Sequence, residues 1–296
     1  LEEVTYLVEY PFAIRGNFEK RFLELPRELL ITTMKYHQKY FPLEDKNGGL
    51  LPYFITISNV RPGPGAEILR GNERVLRARL EDARFFFDED RKRKLEDFVE
   101  SLKDVTFQKT LGSSYEKVNR VVALAEFLAA EVCPEKIKLS SRAAWLCKAD
   151  LVTQMVYEFP ELQGVIGGYY SDHSGEDPEV GLAIKEHYRP SFSGDALPST
   201  TVGSIVSIAD KLDTILGCIG VGLLPSGSED PYGLRRHSLG IIQIMTNQNW
   251  QVSLNELIQK GIILLAGKIK LTSDDIHRHT QALFSQRYKT VLIAEE

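Results

Sequence analysis

The chain has 296 residues, 43% hydrophobic and 26% charged, a balance that suits roughly two globular domains and excludes a fibre or a disordered tail. No apolar run reaches the ~20 residues that a membrane-crossing helix needs, so the sequence predicts a soluble protein with no membrane partner. The net charge of -5 excludes a surface coated in positive charge, and three cysteines without a C-x-x-C pair exclude a disulfide framework or zinc knuckle and fit a reducing cytoplasm.

The run Glu2 to Val8 reads as structure already under way, with no signal peptide, and Leu1 in place of Met points to a fragment of a longer chain. β-rich runs at Tyr6-Leu7-Val8 and Tyr53 to Ile57 surround a helix that starts at Pro26 and ends near Tyr36, with Asn47-Gly48-Gly49 as the turn between strands. Residues 1–60 are therefore α+β. Arg61-Pro62-Gly63-Pro64-Gly65 removes backbone donors and adds backbone freedom, which marks a boundary.

From Arg70 to Asp104, 20 of 35 residues are charged, ten of each sign. Leu76, Leu80, Ala83, Phe87, Leu95 and Phe98 recur there at helical intervals, which predicts long, solvated helices laced with ion pairs. Beyond them the pattern is almost wholly helical. Ser113-x-x-Glu116 is a capping box that opens a helix running to Cys133, and Pro134 ends it. Ser140 or Ser141 caps the next, which runs to Phe159. Asp177-Pro178 opens one to about Tyr188, Pro198 precedes a long apolar helix from Ser199 to about Leu216, and Asp230-Pro231 repeats the Asp-Pro start. Ser253-x-x-Glu256 and Ser273-Asp274-Asp275 open two closing helices. The fold class is mainly α, preceded by a small α+β segment.

Arg74, Arg77 and Arg84 fall at helical spacing and offer planar guanidinium groups to phosphate oxygens. Ten acidic residues share their segment, and a solvated, ion-paired helix is the plainer reading. Arg235 and Arg236 stand one turn inside a helix start, where the N-terminus attracts anions; pairing with a neighbouring helix explains them as well. Lys35 and Lys39 alternate with Tyr36, Tyr40 and Phe41 as a nucleic-acid surface would, or as the edge joining a helix to a hairpin would. The sequence holds no G-x-x-x-x-G-K-[ST], no G-x-G-x-x-G after a strand, no H-E-x-x-H and no G-x-S-x-G, so no catalytic residue is assigned.

Lys148-Ala149-Asp150-Leu151, Asp172-His173 and Ile208 to Asp213 resemble the HD superfamily of metal-dependent phosphohydrolases, where an early His, a His-Asp dyad and a late Asp on separate helices bind divalent metal. The resemblance implies a site at Asp150, His173 and Asp210. Ala149 stands where the dyad His belongs, and no His lies between His37 and His173. Two carboxylates without imidazole partners hold a transition metal poorly, so the site is degenerate and no metal is expected. Asp150 and Asp210 are expected to accept hydrogen bonds inside a retained fold.

Together with Lys35 to Phe41, Leu51-Pro52 with Phe54, Gly71-Asn72-Glu73 through Phe87, Phe107-Gln108, Glu158-Phe159 with Gln163-Gly164, and Asp230-Pro231 with Leu234-Arg235-Arg236, these strings resemble one family. It is the β subunit of bacterial heterotetrameric glycyl-tRNA synthetase, matched over essentially the whole chain. The resemblance implies that the α subunit carries the active site and uses ATP and Mg, while the β chain binds glycine tRNA, needs no cofactor and is inactive alone. It implies that residues 1–60 end an α+β, phenylalanyl-synthetase-like domain and that 61–112 are linker and charged helices. Residues 113–225 then form a degenerate HD-like helical domain and 226–296 a helical extension. Partners are the α subunit and glycine tRNA, not DNA, and Arg74, Arg77, Arg84, Arg235, Arg236, Lys35 and Lys39 become candidate tRNA contacts. The alternatives are an HD-type metal-dependent phosphohydrolase and a subunit-docking scaffold that touches no RNA.

Overall fold

The computed structural model describes residues 8–60, 67–227 and 229–295; Tyr6-Leu7 and the string Arg61 to Gly65 lie outside the described residues. The chain divides into two compact units. One holds the residues up to Lys92 together with Tyr157–Leu162, and the other holds Arg93–Val156 and everything from Gln163 onward. The fold is mainly α, with a small sheet in the first unit, as the sequence pattern implied.

In the first unit, β3 (Leu50–Ser58) pairs antiparallel with β1 (Phe12–Asn17) on one side and β2 (Phe41–Glu44) on the other. Ile14, Gly16, Phe54 and Thr56 point inward, as the period of two requires. Gly16 leaves room for the Phe54 ring, since a Cβ there would sit 2.3 Å from its tip. The turn before β3 is held by Asp45, whose carboxylate accepts from the amides of Asn47 and Gly49 at 2.8 and 2.9 Å, with Gly48 at φ +82°. Helix α1 (Arg27–Thr32) follows Pro26 and widens into a π-helical turn, Thr33–His37. Helix α2 (Glu67–Asp90) buries Leu76, Leu80, Ala83 and Phe87 along one stripe.

The second unit is built of helices around one buried rod. After the Leu95–Asp104 turns and the small β4–β5 pair (Thr106–Gln108 with Gly112–Ser113) come α3 (Ser114–Val132) and α4 (Ile137–Leu146), and then the short α5 (Gln154–Glu158), whose last two residues belong to the Tyr157–Leu162 segment of the first unit. Then follow α6 (Val165–Ser174), α7 (Pro178–Glu186), α8 (Thr201–Gly220), α9 (Leu234–Asn247), α10 (Leu254–Leu264) and α11 (Ser273–Glu295). Every residue of α8 from Val202 to Gly220 is buried, and α3, α4, α7 and α9 pack around it. A helix that is apolar all round belongs in such a position. The capping box forms as read: Ser113 accepts from the Glu116 amide at 3.3 Å and Glu116 accepts from the Ser113 amide at 2.9 Å. Asp177 caps α7 with Pro178 at its first position, and Ser253 caps α10.

Three expected starts are corrected. Ser140 and Ser141 lie inside α4, because the turn Pro134–Lys136 already leads the chain into a helix at Ile137. That helix stops at Leu146 instead of running to Phe159. Thr153 sits in extended backbone and its hydroxyl accepts from the Val156 amide at 3.2 Å, so a new start is capped there. Pro231 opens no helix; the Asp230 carboxylate reaches past it to the amides of Leu234 and Arg235 at 2.8 and 2.9 Å, and α9 begins three residues later than the Asp-Pro pattern implied. The long apolar helix starts at Thr201 after Thr200, whose hydroxyl accepts from Gly203, and not at Ser199.

Candidate functional site

The strongest concentration of chemistry lies inside the second unit, where α8 presents Asp210 and Asp213 on its buried length. Three cations meet this stretch. Lys117 and Arg120, one turn apart on α3, face Asp213: the Arg120 Nε donates to Oδ1 at 2.6 Å and its Nη2 to Oδ2 at 3.1 Å. That two-pronged geometry suits a planar guanidinium. Lys117 Nζ lies 3.2 Å from Asp213 Oδ2, 3.0 Å from Asp210 Oδ1 and 2.8 Å from the Thr214 hydroxyl. Lys148, just past the end of α4, reaches Asp210 Oδ2 at 2.9 Å.

Lys148 has a second partner, His187 Nε2, at 2.8 Å. The other ring nitrogen fixes the tautomer. His187 Nδ1 lies 2.6 Å from the Ile184 carbonyl and donates to it, so Nε2 is left to accept from the ammonium. Burial holds His187 well below the usual histidine range and Lys148 adds to the effect, so the ring stays neutral. The third side of the ammonium rests on the Tyr188 ring, 3.8 Å from its centre. Burial alone would raise the Asp210 carboxyl, but Lys117 and Lys148 hold it well below the usual carboxylate range. Beside it, Lys211 donates to the carbonyls of His187, Tyr188 and Arg189 at 2.8–3.2 Å and to the Ser207 hydroxyl at 2.8 Å. Burial pushes Lys211 down to about 7, against the pull of Asp210.

The three residues of the HD-like pattern do not converge. Asp150 is fully buried but turns to the amides of Gly164 and Gly167 at 2.5 and 3.0 Å, and its Oδ1 has no hydrogen-bond partner among the described residues. Burial pushes it up to about 6, with the two amides opposing. His173 is exposed on α6. Asp210 is occupied by two ammonium groups, which would repel a dication at the same carboxylate. Among the described residues no three His, Cys, Asp or Glu side chains are arranged to hold a metal ion. Chemically, the carboxylates of the cluster are taken up by its own buried cations.

Lys117, Arg120 and His187 do not figure in the sequence pattern of this site, and Lys148 figures there only as a neighbour of Asp150, with no role of its own. A usable signal was present: Asp210, Lys211 and Asp213 are charges in the middle of an apolar helix, and such charges need buried partners elsewhere.

The candidate RNA contacts fall into two groups. Arg84 is spent within its unit: it donates to the Arg21 carbonyl at 3.0 Å and to Glu24 at 2.7 Å. Arg77 is mostly exposed and touches Glu19 at 3.2 Å. Arg74 is exposed on α2 and Arg236 on α9, and neither has a side-chain ion pair or hydrogen bond among the described residues. Arg235 is half-buried at the start of α9, where the Asp230 carboxylate already takes the anion position that a phosphate would need. Lys35 is exposed near Tyr36, with Nζ 5.9 Å from the ring centre, and Lys39 is half-buried with a left-handed backbone at φ 58°.

The model of the glycyl-tRNA synthetase beta subunit family matches residues 1–296. The glycine–tRNA ligase beta subunit of Trichlorobacter lovleyi is 54% identical over 288 residues, which is 97% of this chain and 42% of that protein. The protein of the same name from Geotalea uraniireducens is 52% identical over 292 residues, 99% of this chain and 42% of its own length. That from Syntrophus aciditrophicus is 49% identical over 295 residues, 100% of this chain and 43% of its own. The chain therefore spans well under half the length of these relatives.

Proposed function

This chain belongs to the glycyl-tRNA synthetase beta subunit family, and from that premise we propose that it is the central, tRNA-holding part of such a subunit. In this reading it works in the cytoplasm with an α subunit that performs the ATP- and Mg-dependent chemistry, takes glycine tRNA as its RNA partner, and makes no aminoacyl bond alone. Residues 113–225 serve as a degenerate HD-like helical domain whose metal site has been exchanged for an internal ion-pair cluster.

The observation that carries the reading is the state of Asp210. Its carboxylate, the late ligand of the HD-like pattern, is 3.0 Å from Lys117 and 2.9 Å from Lys148. Hydrolysis through that position needs an activated water on a metal, and two ammonium groups supply neither. This weighs against the phosphohydrolase alternative and leaves the helical domain a binding role. Exposed Arg74 and Arg236, with no ion pair or hydrogen bond among the described residues, suit phosphate oxygens. A cross-linking map of the chain with α subunit and glycine tRNA tests the reading. Cross-links from α2 and the start of α9 to RNA are expected; cross-links from these helices to the α subunit alone would support the docking-scaffold alternative instead.

A further inference from the structure

In the second unit the loop between α7 and α8, residues 187–200, is fastened at both ends. Near its start the Arg189 carbonyl accepts from the Ser207 hydroxyl at 2.7 Å and from Lys211 at 2.8 Å. Near its end the Ser199 amide and hydroxyl donate to the buried Glu186 carboxylate at 2.8 and 3.0 Å. The tip between them folds on itself. The Asp195 carboxylate accepts from the amides of Ser191 and Ala196 at 2.7 and 2.8 Å, the Asp195 amide donates to the Phe192 carbonyl at 3.2 Å, and Gly194 takes φ +82° to close the turn. From this tip Phe192 keeps 63% of its surface in solvent.

A single exposed phenylalanine needs no explanation on its own. This one stands on a loop that is already ordered, so a partner meets the ring in a fixed place. Its neighbours on the tip, Ser191, Ser193, Gly194 and Ala196, are small, and they do not build the apolar surround of a protein-docking hot spot.

Beside the loop lies positive charge. Pro190 packs against α9, where a Cβ at Gly240 would sit 3.1 Å from its ring, and Arg236 stands one turn before Gly240 on the same side of that helix. The Arg236 guanidinium rests over Gly233, where a Cβ would come within 2.7 Å of Nη2. Arg189 meets Glu186 at 3.2 Å and still keeps 39% of its side chain in solvent. The adjacent acids have inward tasks: Asp195 ties the tip, Glu186 the loop end, and Asp230 the amides of Leu234 and Arg235.

We propose that Phe192 and Arg236 together hold a single-stranded stretch of RNA, the ring stacking on an unpaired base and the guanidinium taking a phosphate of the same strand. A ring without donors or acceptors reads no base edge, and inside a duplex the base faces are already stacked, so an unpaired base is the surface it fits. The inference rests on the tRNA-holding reading and adds to it the kind of RNA structure bound at this loop.

The test uses the intact enzyme of α and β polypeptides with glycine tRNA. Phe192→Leu in the β polypeptide is expected to weaken binding about tenfold with the salt slope unchanged, because a stacked base and no phosphate is lost. Phe192→Tyr is expected to bind as the unsubstituted enzyme does, since its ring stacks equally. Equal affinity of the Leu variant overturns the proposal. If Arg236→Ala lowers the salt slope while Phe192→Leu changes nothing, the tRNA-holding reading stands and this proposal alone falls. Benzoylphenylalanine in place of Phe192 gives a second readout: a photo-cross-link to an unpaired nucleotide is expected, and cross-links only to a paired stem, to the α subunit or to the β polypeptide itself overturn the proposal.

Discussion

Lys148 and Asp210 meet at 2.9 Å where their side chains keep only 5% and 10% of their surface in contact with solvent. The lysine thus stands against the late ligand of an HD-like pattern, and His187, absent from that pattern's reading, completes its shell. Lys148→Met is expected to lower the unfolding free energy by up to about 3–5 kcal/mol, because the buried Asp210 carboxylate then keeps Lys117 as its one ion-pair partner. Denaturant titration measures this. Adding Asp210→Asn to Lys148→Met is expected to recover part of the loss; simple addition of the two losses would show that the residues do not act as a unit.

Asp150 gives the opposite pH signature. Its folded value of about 6 lies above its ordinary 3.8, so the native state binds the proton more tightly than the unfolded one. The stability tied to this group is fully present below the unfolded value and falls as pH rises through about 6. Asp150→Asn is therefore expected to gain stability relative to the unsubstituted chain between about pH 4 and pH 7, read from melting temperatures across that range. A constant difference across the range would show that Asp150 does not titrate there.

Much of the helical unit was legible because its signals are local. Ser113-x-x-Glu116 and Asp177-Pro178 act within one turn, and both cap helices where the sequence places them. The Ser140 start was not legible. Pro134 first closes one helix and then opens the next three residues on, and a periodic reading sees only the closing. The ion-pair cluster escaped for another reason: Arg120 and Asp213 are 93 positions apart, and nothing local at Arg120 marks it as buried. The Asp230 start failed because a carboxylate can cap amides four and five residues on, where the Asp-Pro pattern assumes two.

The capping box is open to a direct check. Ser113→Ala is expected to cost about 1 kcal/mol, since it removes the acceptor for the Glu116 amide while Glu116 keeps its bond to the Ser113 amide. Thermal or denaturant unfolding measures this loss, and no change would show that Glu116 alone holds the helix start.

Arg84 separates stability from binding. Because it is tied to the Arg21 carbonyl and to Glu24, Arg84→Ala is expected to lower stability modestly and to leave tRNA affinity and its salt dependence as they were. A fall in tRNA affinity without a fall in stability would place Arg84 at the RNA.

The central proposal is that the chain holds tRNA through surface arginines that have no partner among the described residues. The direct measurement is the affinity of the chain for glycine tRNA across a salt series, for the unsubstituted protein and for Arg74→Ala with Arg236→Ala. Each lost phosphate contact is expected to reduce the slope of log affinity against log salt by roughly 0.7–0.9, so the double variant should lose about 1.4–1.8. An unchanged slope, or no tRNA binding even at low salt, would contradict the account and leave the chain as a scaffold for its partner subunit.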